Sequence, residues 1–115
     1  MAPDRKQDVP KRRAVFLDRD GTISEEYGYA NHISRFQMFP FAAAAIRRLN
    51  EAEIPVIVVT NQSGVARGYF GEELVASIHK RMSYELAAGG AHVDGVYYCP
   101  DVYKRQNGYC SGCRR

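Results

Sequence analysis

Two carboxylates two residues apart, Asp18 and Asp20, are the part of this 115-residue sequence best suited to chemistry. They follow the short apolar run 14–17, which predicts a buried strand, and they precede the turn-forming pair Gly21–Thr22. In open parallel α/β sheets, ligands bind at the carboxyl ends of the strands. Carboxylates there can hold a hard cation such as Mg²⁺, or act as nucleophile and proton donor. The alternative is an acidic loop in which Asp20 or Thr22 caps a helix.

A second group of polar residues follows the β-branched run 55–60, which predicts another buried strand. The Thr60 hydroxyl and the backbone amides after it suit a phosphoryl oxygen, and Ser63–Gly64 lets the backbone approach a ligand closely. Arg67 adds a planar donor group suited to phosphate. Each residue alone is also compatible with an ordinary polar turn, but their clustering at the end of a strand favours anion binding.

The elements that must position these residues alternate between strands and helices. Apolar runs predict three strands, and the helical spacing of apolar residues predicts two helices between them. The predicted bounds are 14–17, 55–60 and 95–98 for the strands, 41–53 for the first helix, and Gly71 to Gly89 for the second. This order implies an α/β fold with a parallel sheet and right-handed crossovers. Residues 24–39 have no clear period and predict a loop or small flap over the end of the first strand.

Composition predicts a globular domain without a membrane span. The chain is 45% hydrophobic and 25% charged, and no apolar run approaches about 20 residues. We expect a basic, disordered leader over residues 1–13 and one domain over 14–115. Basic charge concentrates in 1–13 and 104–115, but the leader has no interleaved aromatic residues, so nucleic-acid binding is not expected. The prediction is a cytoplasmic monomer that binds neither nucleic acid nor membrane.

The three cysteines cluster late in the sequence, at Cys99, Cys110 and Cys113. In a chain without a secretory signal, such a cluster indicates a metal site more than disulfide bonds. The histidines carry weaker signals and are assigned no ligand role. Among them, His79 falls on the second predicted helix, where it is expected to be exposed.

Three motifs together resemble a known family. Residues 16–23 read Phe-Leu-Asp-Arg-Asp-Gly-Thr-Ile, residues 58–68 read Val-Val-Thr-Asn-Gln-Ser-Gly-Val-Ala-Arg-Gly, and residues 97–100 read Tyr-Tyr-Cys-Pro. They resemble the haloacid-dehalogenase (HAD) superfamily, and within it the D-glycero-D-manno-heptose 1,7-bisphosphate phosphatases and the histidinol-phosphate phosphatases. The resemblance covers about residues 13–101 and implies a Rossmannoid three-layer fold, with helices on both faces of the parallel sheet.

The resemblance also implies a reaction and roles for individual residues. It implies Mg²⁺-dependent hydrolysis of a phosphomonoester through an aspartyl-phosphate, with Asp18 as nucleophile and Asp20 as proton donor and then base. Thr60 and Asn61 would hold the transferring phosphoryl group, and Mg²⁺ would bind Asp18 and the main-chain carbonyl of Asp20. Substrate contacts are implied at Glu26, Tyr27, Gly28, Tyr29, Gln62, Ser63, Arg67, Arg114 and Arg115.

The family's zinc loop would occupy residues 99–113, and the sequence there differs from the family pattern. Its candidate ligands are Cys99, Asp101, Cys110 and Cys113. Asp101 stands where the family has a histidine, and two residues rather than one separate the last two cysteines. Three thiolates and one carboxylate can bind Zn²⁺ tetrahedrally.

Three functions remain open on the sequence alone. The first is a phosphatase for a small phosphorylated metabolite, preferably a sugar bisphosphate, with histidinol phosphate as the alternative substrate. The second is an incomplete, non-catalytic HAD domain that binds phosphate or zinc without turnover, because Arg115 replaces the family's lysine and no later aspartates follow it. The third is a phosphoryl-transfer enzyme such as a mutase, which needs an acceptor other than water.

Overall fold

Strands and helices alternate along the chain as predicted. The computed structural model describes residues 12–26 and 32–100. The elements in these ranges are β1 (Val15–Leu17), a short 3₁₀ helix (Ile33–Arg35), α1 (Ala42–Glu51), β2 (Val56–Asn61), α2 (Glu72–Ala88) and β3 (Gly95–Cys99). The three predicted strands and two predicted helices are confirmed, with small shifts at their ends.

The strands form a parallel sheet in the order β1–β2–β3. Leu17 of β1 aligns with Val58 of β2, which in turn aligns with Val96 of β3. Because the strands run in the same direction, their carboxyl ends lie at one edge of the sheet. The predicted α/β class and parallel sheet are confirmed.

Both helices pack on the same face of this sheet. Along β2, Val56 and Val58 are fully buried on the helix side, whereas Val59 is 40% exposed on the other side. The helix side of the sheet shares one core with Ile46 of α1 and Ile78 of α2. Sequential strand order with right-handed crossovers accounts for this one-sided arrangement. The described residues therefore supply one layer of helices, and the second layer implied by the family resemblance is not among them.

The sequence of helix α2 accounts for where the helix begins and for which of its faces is buried. Glu72 and Glu73 lie in its first turn, where negative charge interacts favourably with the helix dipole. Its buried residues recur at helical spacing and are Val75, Ile78, Met82 and Leu86.

Within the described ranges, no helix combines the length and the apolar character needed to cross a membrane.

The segment predicted as a loop, residues 24–39, is described on both sides of residues 27–31. Ser24 forms isolated bridges with Asp20 on one side and Met38 on the other. Phe36 is buried in the core. The described parts of this segment are therefore attached to the turn that follows β1 and to the core beneath it.

Candidate active site

The predicted site residues converge where the parallel strands end. Asp18 directly follows β1, Thr60 and Asn61 close β2, and Cys99 closes β3. An open cleft of about 260 Å³ lies at this edge. Its lining residues are Asp18, Val59, Thr60, Asn61, Tyr97, Tyr98 and Cys99. The structure thus brings one predicted nucleophile and both predicted phosphoryl-binding residues to a single cleft.

Asp18 is exposed and is oriented by the tight turn that follows it. Its Oδ1 accepts a hydrogen bond from the backbone N–H of Arg19 at 2.7 Å. The Arg19 carbonyl accepts the N–H groups of Thr22, Ile23 and Ser24, which closes the turn. Gly21 has a φ of 81°, and a Cβ there would lie 3.3 Å from a carboxylate oxygen of Glu26. The glycine predicted as a turn former is therefore required by the backbone conformation.

Asp20 is held from two sides. Its Oδ1 accepts from Nε of Arg19 at 2.9 Å and from Nη2 at 2.8 Å, and its Oδ2 accepts from Nε2 of Gln62 at 3.1 Å. Gln62 Nε2 also donates to the Thr60 hydroxyl at 2.9 Å. The side chain of Asp20 remains 25% exposed. Gln62 thereby couples the Asp20 carboxylate to Thr60, which lines the cleft.

The loop after β2 is attached to the end of β3. The Gln62 N–H donates to the Cys99 carbonyl at 2.8 Å, and the Ala66 N–H donates to the Pro100 carbonyl at 3.2 Å. Gln62 itself is 5% exposed, and its side chain contacts Asp20 and Thr60, so its predicted substrate contact stays a prediction. Ser63 is half-buried and Arg67 is exposed on the same loop. Through Gln62, this loop contacts both the turn that follows β1 and the wall of the cleft.

Arg19 is a site residue that the sequence did not predict, and His79 is not exposed as predicted. Arg19 is 1% exposed, and its Nη1 lies 3.1 Å from Nε2 of His79. His79, expected to be exposed, is half-buried, and burial together with the positive charge of Arg19 lowers its pKa to about 4. Two signals point to this pair. Side chains alternate between the two faces of an extended chain, so Arg19 faces the opposite side from Asp18 and Asp20, which is the side of the helices. His79 lies four residues after Val75 and therefore on the buried face of α2.

The oxygen chemistry of the site fits Mg²⁺ in part. In the described ranges, no three His, Cys, Asp or Glu side chains come together as a metal site. Asp18 offers an exposed carboxylate, whereas both oxygens of the Asp20 carboxylate are engaged by Arg19 and Gln62. A cation beside Asp18 is therefore better matched by the main-chain carbonyl of Asp20 than by its side chain, as the family resemblance implies.

Several predicted site residues lie outside the described residues. They are Tyr27, Gly28, Tyr29, Asp101, Cys110, Cys113, Arg114 and Arg115. Of the predicted zinc ligands, Cys99 alone falls within the described ranges, where it is buried at the end of β3. Glu26 is exposed, with its carboxylate beside Gly21.

Comparisons with known proteins agree with this architecture, although no family model matches the chain. The chain is 39% identical over 102 residues to D-glycero-beta-D-manno-heptose-1,7-bisphosphate 7-phosphatase from Pasteurella multocida, covering 89% of this chain and 55% of the relative. D,D-heptose 1,7-bisphosphate phosphatase from B. bronchiseptica, solved with magnesium and phosphate, matches at a TM-score of 0.75 and 33% identity. That match covers 80% of this chain and 52% of the other.

A second solved structure, provisionally named a HAD-like phosphatase and taken from Mesorhizobium loti, matches at a TM-score of 0.74 and 41% identity. It covers 84% of this chain and 48% of the other. The chain thus spans about half the length of the relatives it matches. Over that half, the resemblance predicted from the three motifs is confirmed in sequence and in fold.

Proposed function

We propose that this chain, related in sequence and fold to HAD-like heptose bisphosphate phosphatases, hydrolyses the phosphomonoester of a small phosphorylated sugar. The observation that carries the proposal is the cleft at the carboxyl edge of the sheet. There Asp18 is exposed beside Thr60 and Asn61, while Asp20 is fixed by Arg19 and Gln62. Asp18 is thus accessible as a nucleophile, and Asp20 is held in one orientation. A nucleophile with a fixed acid–base partner is what a two-step hydrolysis requires.

In the first step, a carboxylate oxygen of Asp18 forms a bond to phosphorus as the ester P–O bond breaks. The leaving alcohol oxygen takes a proton from the carboxylic acid form of Asp20, and the products on the protein are an aspartyl-phosphate at Asp18 and the Asp20 carboxylate. The Thr60 hydroxyl and the backbone amides after β2 donate to the phosphoryl oxygens as charge develops there. The Arg19 guanidinium places a positive charge beside the Asp20 carboxyl group and favours the approach of the anionic phosphate.

In the second step, water gives a proton to the Asp20 carboxylate while its oxygen attacks phosphorus. The bond between phosphorus and the Asp18 oxygen then breaks, which releases inorganic phosphate and regenerates the Asp18 carboxylate and the carboxylic acid form of Asp20. Asp20 therefore serves as acid and then as base, so its orientation must persist through both steps. The hydrogen bonds from Arg19 and Gln62 provide that constraint.

Asp18 and the main-chain carbonyl of Asp20 would hold Mg²⁺, which supplies positive charge between two anionic reactants when it is bound. The magnesium and phosphate complex of the B. bronchiseptica relative supports this cofactor. The names of the relatives support D-glycero-D-manno-heptose 1,7-bisphosphate as the substrate, with the 7-phosphate as the group removed. Zinc binding through Cys99 stays a prediction, because its other three candidate ligands lie outside the described residues.

The decisive experiment measures phosphate release from D-glycero-D-manno-heptose 1,7-bisphosphate, with Mg²⁺ and with EDTA, for the wild type and Asp18→Asn. The amide cannot act as a nucleophile, so we expect turnover to fall at least about a thousandfold. Chelation of Mg²⁺ is expected to abolish turnover of the wild type as well.

Glu51→Gln is the matched control, because it makes the same acid-to-amide change at an exposed residue of α1. It should retain wild-type turnover. A folded wild type that releases no phosphate but still binds it would contradict the proposal and favour a non-catalytic binding domain. Phosphate release that survives in Asp18→Asn would instead contradict the role of Asp18.

A further inference from the structure

The buried guanidinium of Arg19 links the candidate active site to helix α2. On one side, its Nε and Nη2 donate to Oδ1 of Asp20. On the other side, its Nη1 lies 3.1 Å from Nε2 of His79, a residue 60 positions along the chain. Every hydrogen atom on a guanidinium is a donor, and arginine has no acceptor to offer. The contact with His79 is therefore a hydrogen bond only if Nε2 of the imidazole carries no proton.

This requirement determines the protonation state of His79. A neutral imidazole with a bare Nε2 carries its proton on Nδ1. The lowered pKa of His79 agrees with a neutral ring, because burial and the Arg19 charge both oppose a second proton. His79 thus acts as a hydrogen-bond acceptor that turns the Arg19 guanidinium toward Asp20.

The imidazole is itself held in place by the end of β3. The rings of His79 and Tyr98 meet edge to face, with centroids 5.8 Å apart and planes at 64°. The Tyr98 hydroxyl donates to the Glu72 carboxylate at 2.8 Å, which connects β3 to the first turn of α2. Tyr98 also lines the cleft. One network therefore runs from the cleft wall through His79 and Arg19 to Asp20.

We propose that His79 is a positioning residue for the reaction: its Nε2 holds Arg19, and Arg19 in turn fixes the carboxylate of Asp20. The inference rests on the proposed function for its effect on turnover, but the tautomer and the orientation of Asp20 can be measured without turnover. Asp20 donates a proton and later accepts one, so looser placement slows chemistry rather than binding. An imidazole that merely filled space would not require a particular acceptor atom.

The test compares three substitutions at His79. The amide of glutamine reaches about as far as Nε2 of histidine, whereas the amide of asparagine is one methylene shorter and leucine has no acceptor. We expect His79→Gln to keep kcat near that of the wild type, and His79→Asn and His79→Leu to lower kcat about tenfold with little change in KM. His92→Leu is the control for loss of a histidine, since His92 is exposed on the loop before β3. Equal kcat values for the Gln and Leu variants would overturn the proposal.

Nuclear magnetic resonance separates this inference from the proposed function. At neutral pH, the ¹⁵N shifts of His79 should show a protonated Nδ1 and a bare Nε2, and a proton on Nε2 would overturn the inference. The ¹³Cγ signal of Asp20 should shift in His79→Leu and stay near its wild-type position in His79→Gln, and an unchanged signal in both variants would also overturn it. If the His79 and Asp20 signals behave as expected but the wild type shows no turnover, the proposed function fails and the positioning of Asp20 by His79 stands.

Discussion

Arg19 is a buried cation whose charge is met by one carboxylate and one neutral imidazole. Isolated charges are costly to bury, and the ion pair with Asp20 together with the contact to His79 offsets that cost. His79 must stay neutral for this balance to hold, because a second cation beside Arg19 would be repelled. Acid should therefore destabilise the fold by protonating His79.

We expect the pH dependence of stability to differ between the wild type and His79→Gln. The pKa of His79 is about 4 in the folded chain against 6.5 as a reference, so the unfolded chain binds a proton that the folded chain rejects between these values. The free energy of unfolding of the wild type should thus fall as pH decreases from 6.5 towards 4, by up to about 1.4 kcal/mol per pH unit.

Urea unfolding at several pH values in this window measures the difference. Both proteins share all carboxylates, so acid effects from those groups cancel in the comparison. The stability of the wild type relative to His79→Gln should decline steadily on acidification. Parallel stability curves for the two proteins would mean that His79 takes up its proton equally well in both states.

At the scale of elements, α1 and α2 approach each other closely where α2 ends. A Cβ placed on Gly89 would lie 2.6 Å from Cβ of Ala43, which is shorter than any acceptable contact. The φ of Gly89 is −92°, an angle open to any residue. Glycine is therefore needed at this position for space and not for backbone freedom.

Gly89→Ala should lower the free energy of unfolding by about 1–3 kcal/mol, because the added methyl group forces the helices apart. Ala43→Gly removes the opposing methyl group, at its own cost of about 1 kcal/mol for glycine inside a helix. In the Ala43→Gly background, Gly89→Ala should cost much less. A double-mutant cycle of urea unfolding checks this, and an equal cost in both backgrounds would refute the steric explanation.

At the scale of the molecule, the described sheet has one face covered by helices and one open face. The open face carries Phe16 at 66% exposure, Val59 at 40% and Tyr97 at 38%. Val59 and Tyr97 are partners across β2 and β3, so these apolar groups form a continuous surface. Exposed apolar surfaces of this kind promote association.

Phe16→Ser should reduce the binding of a hydrophobic dye and the light scattering of concentrated protein, with little loss of stability because the ring is mostly exposed. Phe36→Ser is the matched control: it makes the same change in the core and should cost about 3 kcal/mol or more. Dye fluorescence and scattering that do not change in Phe16→Ser would show that the open face is covered.

Local sequence was sufficient to predict the strands and helices and the site residues that lie at the ends of strands. Apolar runs, the helical spacing of apolar residues and the turn chemistry around Gly21 all depend on neighbours in the chain. The strands and helices were therefore predictable, and so was the location of Asp18, Asp20, Thr60 and Asn61 at strand ends. The motif of residues 16–23, together with those of residues 58–68 and 97–100, also indicated the resemblance that the relatives confirm.

The pairing of distant side chains was not predictable in the same way. Arg19 pairs with its neighbour Asp20, but its other partner, His79, lies 60 positions along the chain and reaches Arg19 only because α2 packs against the sheet. Likewise, Gln62 turns inward to Asp20 and Thr60 because the loop is tied to the ends of two strands. The contacts of Arg19 with His79 and of Gln62 with Asp20 join residues 60 and 42 positions apart, so their geometry exists only once the sheet and helices have packed together.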